Sequence, residues 1–303
     1  MFIRAFVTGL IGFCIALSAH AQTSTIYGSA YAGSGAAATL YTLDSTTGAG
    51  TVVGPIGFAQ VGALAFAANG TLYGVGYDTT AGDSVLITIN TTTGAGTLVG
   101  LLGTGSFTQD IAFRPSDGVL FAYVEGDIYT INTATGVATL VGSTGGFPDG
   151  NAIAFSGSTL YLANDGGSGT DGTLQTINQA TGAVTDVVPF TYGAGFTTGF
   201  IRAAGMKFDP ATSTLYAAIV SGSGPANTRY LGTINTTTGA VTDIGTSVAG
   251  LDAIAITGAA APPPPPAVTA VPTLSEWGLL ATILMVALAT VSLRSRRGRN
   301  RGR

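Results

Sequence analysis

Between Thr25 and Thr257 short runs of β-branched, aromatic and small apolar residues are separated by clusters of Gly, Thr, Asn and Asp. Runs of this kind bounded by turn residues predict strands and tight turns, hence an all-β body. The turns follow a repeat, T-[LI]-[DN]-x-x-T-G, which occurs as TLDSTTG from Thr42, TINTTTG from Thr88, TINTATG from Thr130, TINQATG from Thr176 and TINTTTG from Thr233. Its closing glycines, Gly48, Gly94, Gly136, Gly182 and Gly239, stand 46, 42, 46 and 57 residues apart, and a threonine follows three residues after each. An Asp or Asn at the end of a strand closes an Asx-turn, and glycine then supplies the positive φ that starts the return strand.

A second pair of strands precedes each later heptad: GALAFAANGTLYG (Gly62–Gly74), DIAFRPSDGVLFAY (Asp110–Tyr123), AIAFSGSTLYLAN (Ala152–Asn164) and GMKFDPATSTLYAAI (Gly205–Ile219). Each unit therefore has four strands, a to d. Four-stranded units of this length are blades, because a single blade cannot bury both of its faces and must stack radially. The fifth strand a, LDAIAIT (Leu251–Thr257), has no strand b after it, while the body opens with an unpartnered strand b, TIYGSAYA (Thr25–Ala32). Pairing them completes a fifth blade from both ends, so the expectation is one five-bladed β-propeller over residues 22–258; an open β-solenoid would need no such complementarity.

The two ends read differently. Arg4, the apolar run Ala5–Leu17 and Ser18-Ala19-His20-Ala21 form a signal peptide over residues 1–21 with the mature chain starting at Gln22. Cleavage there removes Cys14 and His20, the only cysteine and the only histidine. Disulfides, thiol nucleophiles, imidazole bases and His or Cys zinc sites are then excluded from the body. At the other end a proline-rich spacer (259–270) leads into VPTLSEWG, the apolar run Leu279–Leu293, and six arginines between Arg294 and Arg303. Trp277 to Leu293 would make about 25 Å of helix, near the lower limit for one transmembrane span. The arginines hold its far end in the cytoplasm and leave the body facing the periplasm or beyond.

Val271, Pro272, Thr273, Leu274, Trp277 and Gly278, followed by one helix and a basic end, resemble the IPTLxxWG type of C-terminal sorting signal of Gram-negative bacteria, with Val in place of the usual Ile. The resemblance covers residues 271–303 and implies an exosortase-like membrane peptidase as partner, with anchoring in the inner membrane before processing and a place at the cell surface or in the matrix afterwards. The blade repeat resembles that of secreted bacterial propellers and, more distantly, the quinoprotein repeat, in which a Trp follows T-G. The chain's only Trp is Trp277, so a quinone cofactor is not implied.

Charge removes one further class. The body carries only Arg114, Arg202, Lys207 and Arg229 against fourteen acids, a net charge of −10, which repels phosphate backbones and argues against nucleic acid as a partner. Candidate chemistry gathers where strands a begin, on the face built from the d-to-a and b-to-c loops. Gln60, Gln109, Asp110, Asn151, Arg202 and Asp252 are placed to converge on the channel mouth, and the long loop Pro189–Arg202 adds Tyr192 and Phe196. Phe58, Phe107, Phe147 and Phe200 precede strands a and are expected to wedge between blades. Asp78 with Asp83, and Asp165 with Asp171, lie in Gly-rich loops as weak Ca²⁺ candidates without EF-hand spacing; no other metal or cofactor is expected. The leading expectation is a non-enzymatic binding or scaffolding protein for an envelope polysaccharide or surface protein. A carbohydrate-active enzyme using Asp110 and Asp252 as paired carboxylates is the alternative, and a self-associating matrix component is a third.

Overall fold

The computed structural model describes residues 24–33, 35–145, 152–165, 172–196, 200–222, 227–258, 281 and 283–288. The chain divides into two compact units, Met1–Ala260 and Ala261–Arg303. In the second unit residues 283–288 are helical with every side chain exposed, and no helix among the described residues is long and apolar enough to cross a membrane. The sorting-motif residues Val271, Pro272, Thr273, Leu274, Trp277 and Gly278 lie outside the described residues.

The first unit is a five-bladed β-propeller of antiparallel blades. Blade 1 contains β1 (Ile26–Ala30), β2 (Ala37–Leu43) and β3 (Gly50–Ala59), and blade 2 contains β4 (Ala63–Phe66), β5 (Leu72–Asp78), β6 (Asp83–Ile89) and β7 (Gly96–Leu101). Blade 3 follows with β8 (Asp110–Phe113), β9 (Leu120–Val124), β10 (Asp127–Ile131) and β11 (Ala138–Ser143). Blade 4 is β12 (Ala152–Ser156), β13 (Thr159–Asn164), β14 (Thr173–Ile177) and β15 (Val184–Pro189). A two-residue strand, β16 (Thr191–Tyr192), precedes blade 5, which is β17 (Ile201–Phe208), β18 (Leu215–Ser221), β19 (Thr228–Ile234) and β20 (Ala240–Thr246). The last strand, β21 (Leu251–Ile256), pairs antiparallel with β1 and supplies strand a of blade 1. Thr25 and Thr257 extend that pairing: the Thr257 N–H donates to the Thr25 carbonyl at 3.0 Å, and the Thr25 N–H to Thr257 Oγ1 at 2.8 Å. Ser24 Oγ, 2.6 Å from Asp209 Oδ1, ties the same end to blade 5.

The heptads form the expected turns. Asp44 Oδ1 accepts the N–H groups of Thr46 and Thr47 at 2.8 and 3.0 Å, and Asn90, Asn132, Asn178 and Asn235 repeat the arrangement. The five closing glycines have φ of 74°, 82°, 85°, 76° and 72°. Their second constraint is tertiary. A Cβ on Gly94, Gly136 or Gly182 would collide with the backbone of Gly54, Gly100 or Gly142 in strand d of the preceding blade, and Gly48 stands in the same relation to Gly245. The T-G turn of one blade thus packs backbone to backbone on its neighbour all round the ring. At the seam between blades 4 and 5 the neighbour of Gly239 is Pro189, and β16 runs parallel to β20 there.

The hydrophobic core is five wedges, one per seam. Ala38, Leu40 and Ile56 of blade 1 pack with Leu64, Leu72 and Ile87 of blade 2, and four analogous clusters fill the other seams. An aromatic on strand b meets the phenylalanine on strand a of the next blade: Tyr27 with Phe66, Tyr73 with Phe113, Phe121 with Phe155 and Tyr161 with Phe208, at centroid separations of 5.5–5.6 Å. The inter-blade aromatic pairs therefore come chiefly from the strands themselves. Of the loop aromatics, Phe58 does pack into the seam of blades 1 and 2. Phe107 instead packs on Tyr77 of its own blade at 6.3 Å, and Phe147 lies outside the described residues.

Candidate functional site

The d-to-a and b-to-c loops share one end of the ring, and the strands a meet at its axis. Aligned on the phenylalanine of four of them and on Ile256 of β21, these strands read Ala65, Ala112, Ala154 and Ala255 in the column where β17 has Lys207. Small residues let the five strands approach one another, and the single long side chain occupies the axis. Lys207 Nζ lies 2.8 Å from both carboxylate oxygens of Asp110 on β8 and also donates to the carbonyls of Ile153 and Met206 at 3.2 and 2.8 Å. Asp110 further accepts the N–H groups of Ile111, Ile153 and Met206 at 2.8, 3.0 and 3.5 Å. One carboxylate thereby ties the strands a of blades 3, 4 and 5. Its exposure is 0%. Burial pushes the Asp110 carboxyl up to about 6 against the opposing pull of Lys207, and burial pushes the lysine down. Asp110 was expected at an open mouth, free to pair with Asp252 as a second carboxylate. In the fold it is an axial pin with its oxygens committed to an ammonium and three amides.

The rim is built differently. Asp252, on β21 of blade 1, accepts from the Tyr31 hydroxyl at 2.9 Å and from Arg229 Nη1 at 3.3 Å, while Arg229 Nη1 also donates to the Leu251 carbonyl at 2.9 Å. Arg229 lies on β19 and Arg202 on β17, and both pair with Val220 of β18. Residues in one cross-strand row project from the same side of a sheet. Both guanidinium groups therefore leave blade 5 toward blade 1, roughly 10 Å apart at their backbones from two strand spacings. Burial, then Asp252, raises the Tyr31 hydroxyl pKa; burial lowers that of Arg229, Asp252 opposes it, and Arg202 adds to the lowering. On the blade 2 side a Cβ at Gly62 would lie 2.7 Å from the Phe107 ring and 3.1 Å from Asp252 Oδ2. Glycine at that position lets an aromatic edge and the carboxylate meet.

Other residues expected at the mouth are engaged locally. Gln60 has φ of 47° and accepts the Gly35 N–H at 3.4 Å, and Gln109 Oε1 accepts the Glu125 N–H at 2.8 Å. Asn151 lies outside the described residues. In the described part of the long loop after blade 4, Phe196 is buried and packs edge-on against Tyr192 and Tyr230, at 6.2 and 5.3 Å. Tyr192 packs on Phe190 at 6.1 Å, and burial pushes its hydroxyl up to about 12. Phe196 belongs to the core of the seam between blades 4 and 5, and the partly buried Tyr192 packs against it.

Two of the calcium candidates, Asp83 and Asp78, have oxygens engaged by backbone amides. Asp83 accepts from the N–H groups of Ser84, Gly103, Thr104 and Gly105 at 2.7–3.2 Å, folding the d-to-a loop of blade 2 around its carboxylate. Asp78 caps its own turn through Thr80 and Ala81 at 2.8 and 3.1 Å. Asp165 is buried beside Tyr192, while Asp171 lies outside the described residues. No three acidic, histidine or cysteine side chains group as a metal site among the described residues.

Reasoning from sequence picked out Arg202 and Asp252 and missed Tyr31, Arg229 and Lys207. Lys207 was detectable as the one non-alanine in its column, and Arg229 as one of only four cations in the body. Tyr31 carries no local signal, because its role depends on the pairing of the two chain ends.

Known proteins resemble the chain in two separate regions, the C-terminal segment and the propeller body. Residues 269–297 match the family described as the IPTL-CTERM motif. The chain is similar to a solved chain in the crystal structure of a nidogen/laminin complex, with a TM-score of 0.50 and 12% identity, covering 77% of this chain and 98% of that one. It is also similar to TolB from Acinetobacter baumannii, with a TM-score of 0.45 and 14% identity over 75% of this chain and 54% of that one. No curated protein matches the chain. At 12% identity, the nidogen/laminin likeness speaks to the propeller fold alone.

Proposed function

We propose that this is an exported propeller delivered to the bacterial surface by its C-terminal sorting segment, where it acts as a non-enzymatic binding or scaffolding protein. The observation that carries the reading is the IPTL-CTERM match at residues 269–297, placed after a body whose last strand ends at Ile256. In this reading residues 1–21 are a cleaved signal peptide, and residues 279–293 hold the chain in the inner membrane with the body periplasmic. An exosortase-like peptidase then acts near residues 271–278. The anchor is read from the apolar run Leu279–Leu293 followed by six arginines in the sequence. The axial Asp110–Lys207 pair supports binding over hydrolysis, because it removes one of the two carboxylates a glycosidase would need.

Surface delivery is tested with an epitope tag after Gln22 and antibody staining of intact cells. The full chain is expected to stain, and a chain ending at residue 268 is expected to remain unstained while accumulating in periplasm or medium. Equal staining of both would overturn the role given to the C-terminal segment.

A further inference from the structure

Arg202 and Arg229 are two of the four cations in a body of net charge −10, and the fold places them in one row facing one seam. Arg229 is held by Asp252 and the Leu251 carbonyl. Among the described residues the Arg202 guanidinium makes no hydrogen bond and no ion pair, and the residue is half-buried. Arg202, Arg229 and Asp252 together give the described rim residues one net positive charge.

A partly desolvated guanidinium without a partner, beside a second one, is a receptor for a planar oxyanion, and carboxylate matches its fork geometry. The neighbours narrow the ligand. Asp252 retains acceptor capacity beyond its bonds to Tyr31 and Arg229, which suits sugar hydroxyls. Phe107 is half-buried, with its ring tip at Gly62 and Tyr77 packed beside it, and an aromatic ring there suits the C–H face of a pyranose. A cation for a carboxylate, an acceptor for hydroxyls and an aromatic surface, drawn from blades 5, 1 and 2, are together the complement of an acidic sugar.

We infer that the seam between blades 5 and 1 binds the carboxylate of a uronate-containing polysaccharide, with Arg202 as the anion contact, Asp252 as the hydroxyl acceptor and Phe107 as the stacking surface. This deepens the surface-binding reading above and rests on it.

The test uses the full chain in detergent micelles, titrated calorimetrically with polygalacturonate oligosaccharides at low and high salt. The other probes are neutral dextran, dextran sulfate and polyglutamate. The expected result is binding of the uronate oligomer that weakens at least about tenfold in Arg202→Gln, is partly retained in Arg202→Lys, falls in Phe107→Ala and is unchanged in Arg114→Gln. The last variant removes the same charge from a site paired with Asp117 elsewhere. Weaker binding in high salt is expected for an ionic contact. Equal losses in Arg202→Gln and Arg114→Gln would overturn the site. Dextran sulfate or polyglutamate binding as tightly as the uronate would overturn the ligand class. If none of the probes binds while intact cells still stain for the tagged chain, the inference falls and surface delivery stands.

Discussion

Four of the five strands a carry alanine where the fifth carries Lys207, so this one side chain reports what the axial pair contributes. Replacing Lys207 by Met strands a fully buried carboxylate, and such a break costs about 3–5 kcal/mol. Urea unfolding of Lys207→Met is expected to show a loss of that size, with much of it recovered when Asp110→Asn is added. An unchanged midpoint in the single variant would contradict the pinning role. The pair also sets a pH dependence. Asp110 titrates in the folded state at about 6, above its ordinary value of 3.8. The folded chain therefore binds a proton that the unfolded chain releases between those values, and stability from this group rises as pH falls from about 6 to about 4. Stability measured across that window, relative to the Asp110→Asn, Lys207→Met double variant, is expected to climb toward the acid side; a flat or opposite trend would mean that Lys207 outweighs burial. None of this could be read from local sequence, because the partners are 97 residues apart and meet only at the axis of a closed ring.

At the scale of the element, the T-G turn carries two constraints that the heptad shows only in part. The Asx-turn and the positive φ were legible, since both are local demands on the backbone. The contact of each turn with strand d of the preceding blade was not, because it joins successive repeats. Its trace is the glycine six residues after the T-G in four of the five units, at Gly54, Gly100, Gly142 and Gly245. The fourth unit has Val188 there, and at that seam the chain adds β16 against β20, a two-residue strand too short to leave a pattern. Gly94→Ala separates the two constraints from each other. Gly82 also has positive φ, 66°, but open space where a Cβ would point, so Gly82→Ala carries only the backbone cost of about 1–2 kcal/mol. Gly94→Ala adds a collision with Gly54 and is expected to lose at least about 1 kcal/mol more in thermal or urea unfolding. Equal losses would show that the seam yields without cost.

Across the whole molecule, the five wedge cores explain why blades of this composition exist only in a ring: each buries its faces against both neighbours, so stability depends on the last seam closing. The complementary unpaired strands at the two ends of the body made that closure legible before any coordinates. The rim cluster was legible only as scattered polar positions, because Tyr31, Asp252 and Arg229 come together through the closure itself. The ring closes at β1 and β21, ahead of residues 269–297 that match the IPTL-CTERM motif, so the proposed delivery segment lies outside the closing strands. Thermal unfolding of two truncated chains tests this most directly. A chain ending at Gly258 retains β21 and Thr257 and is expected to melt cooperatively within about 2 °C of the full chain, no more than the shift that about 1 kcal/mol produces in a domain of this size. A chain ending at Gly250 lacks strand a of blade 1 and is expected to show no cooperative transition. Loss of cooperative melting in the first chain, or its survival in the second, would contradict a ring that closes on its own two ends.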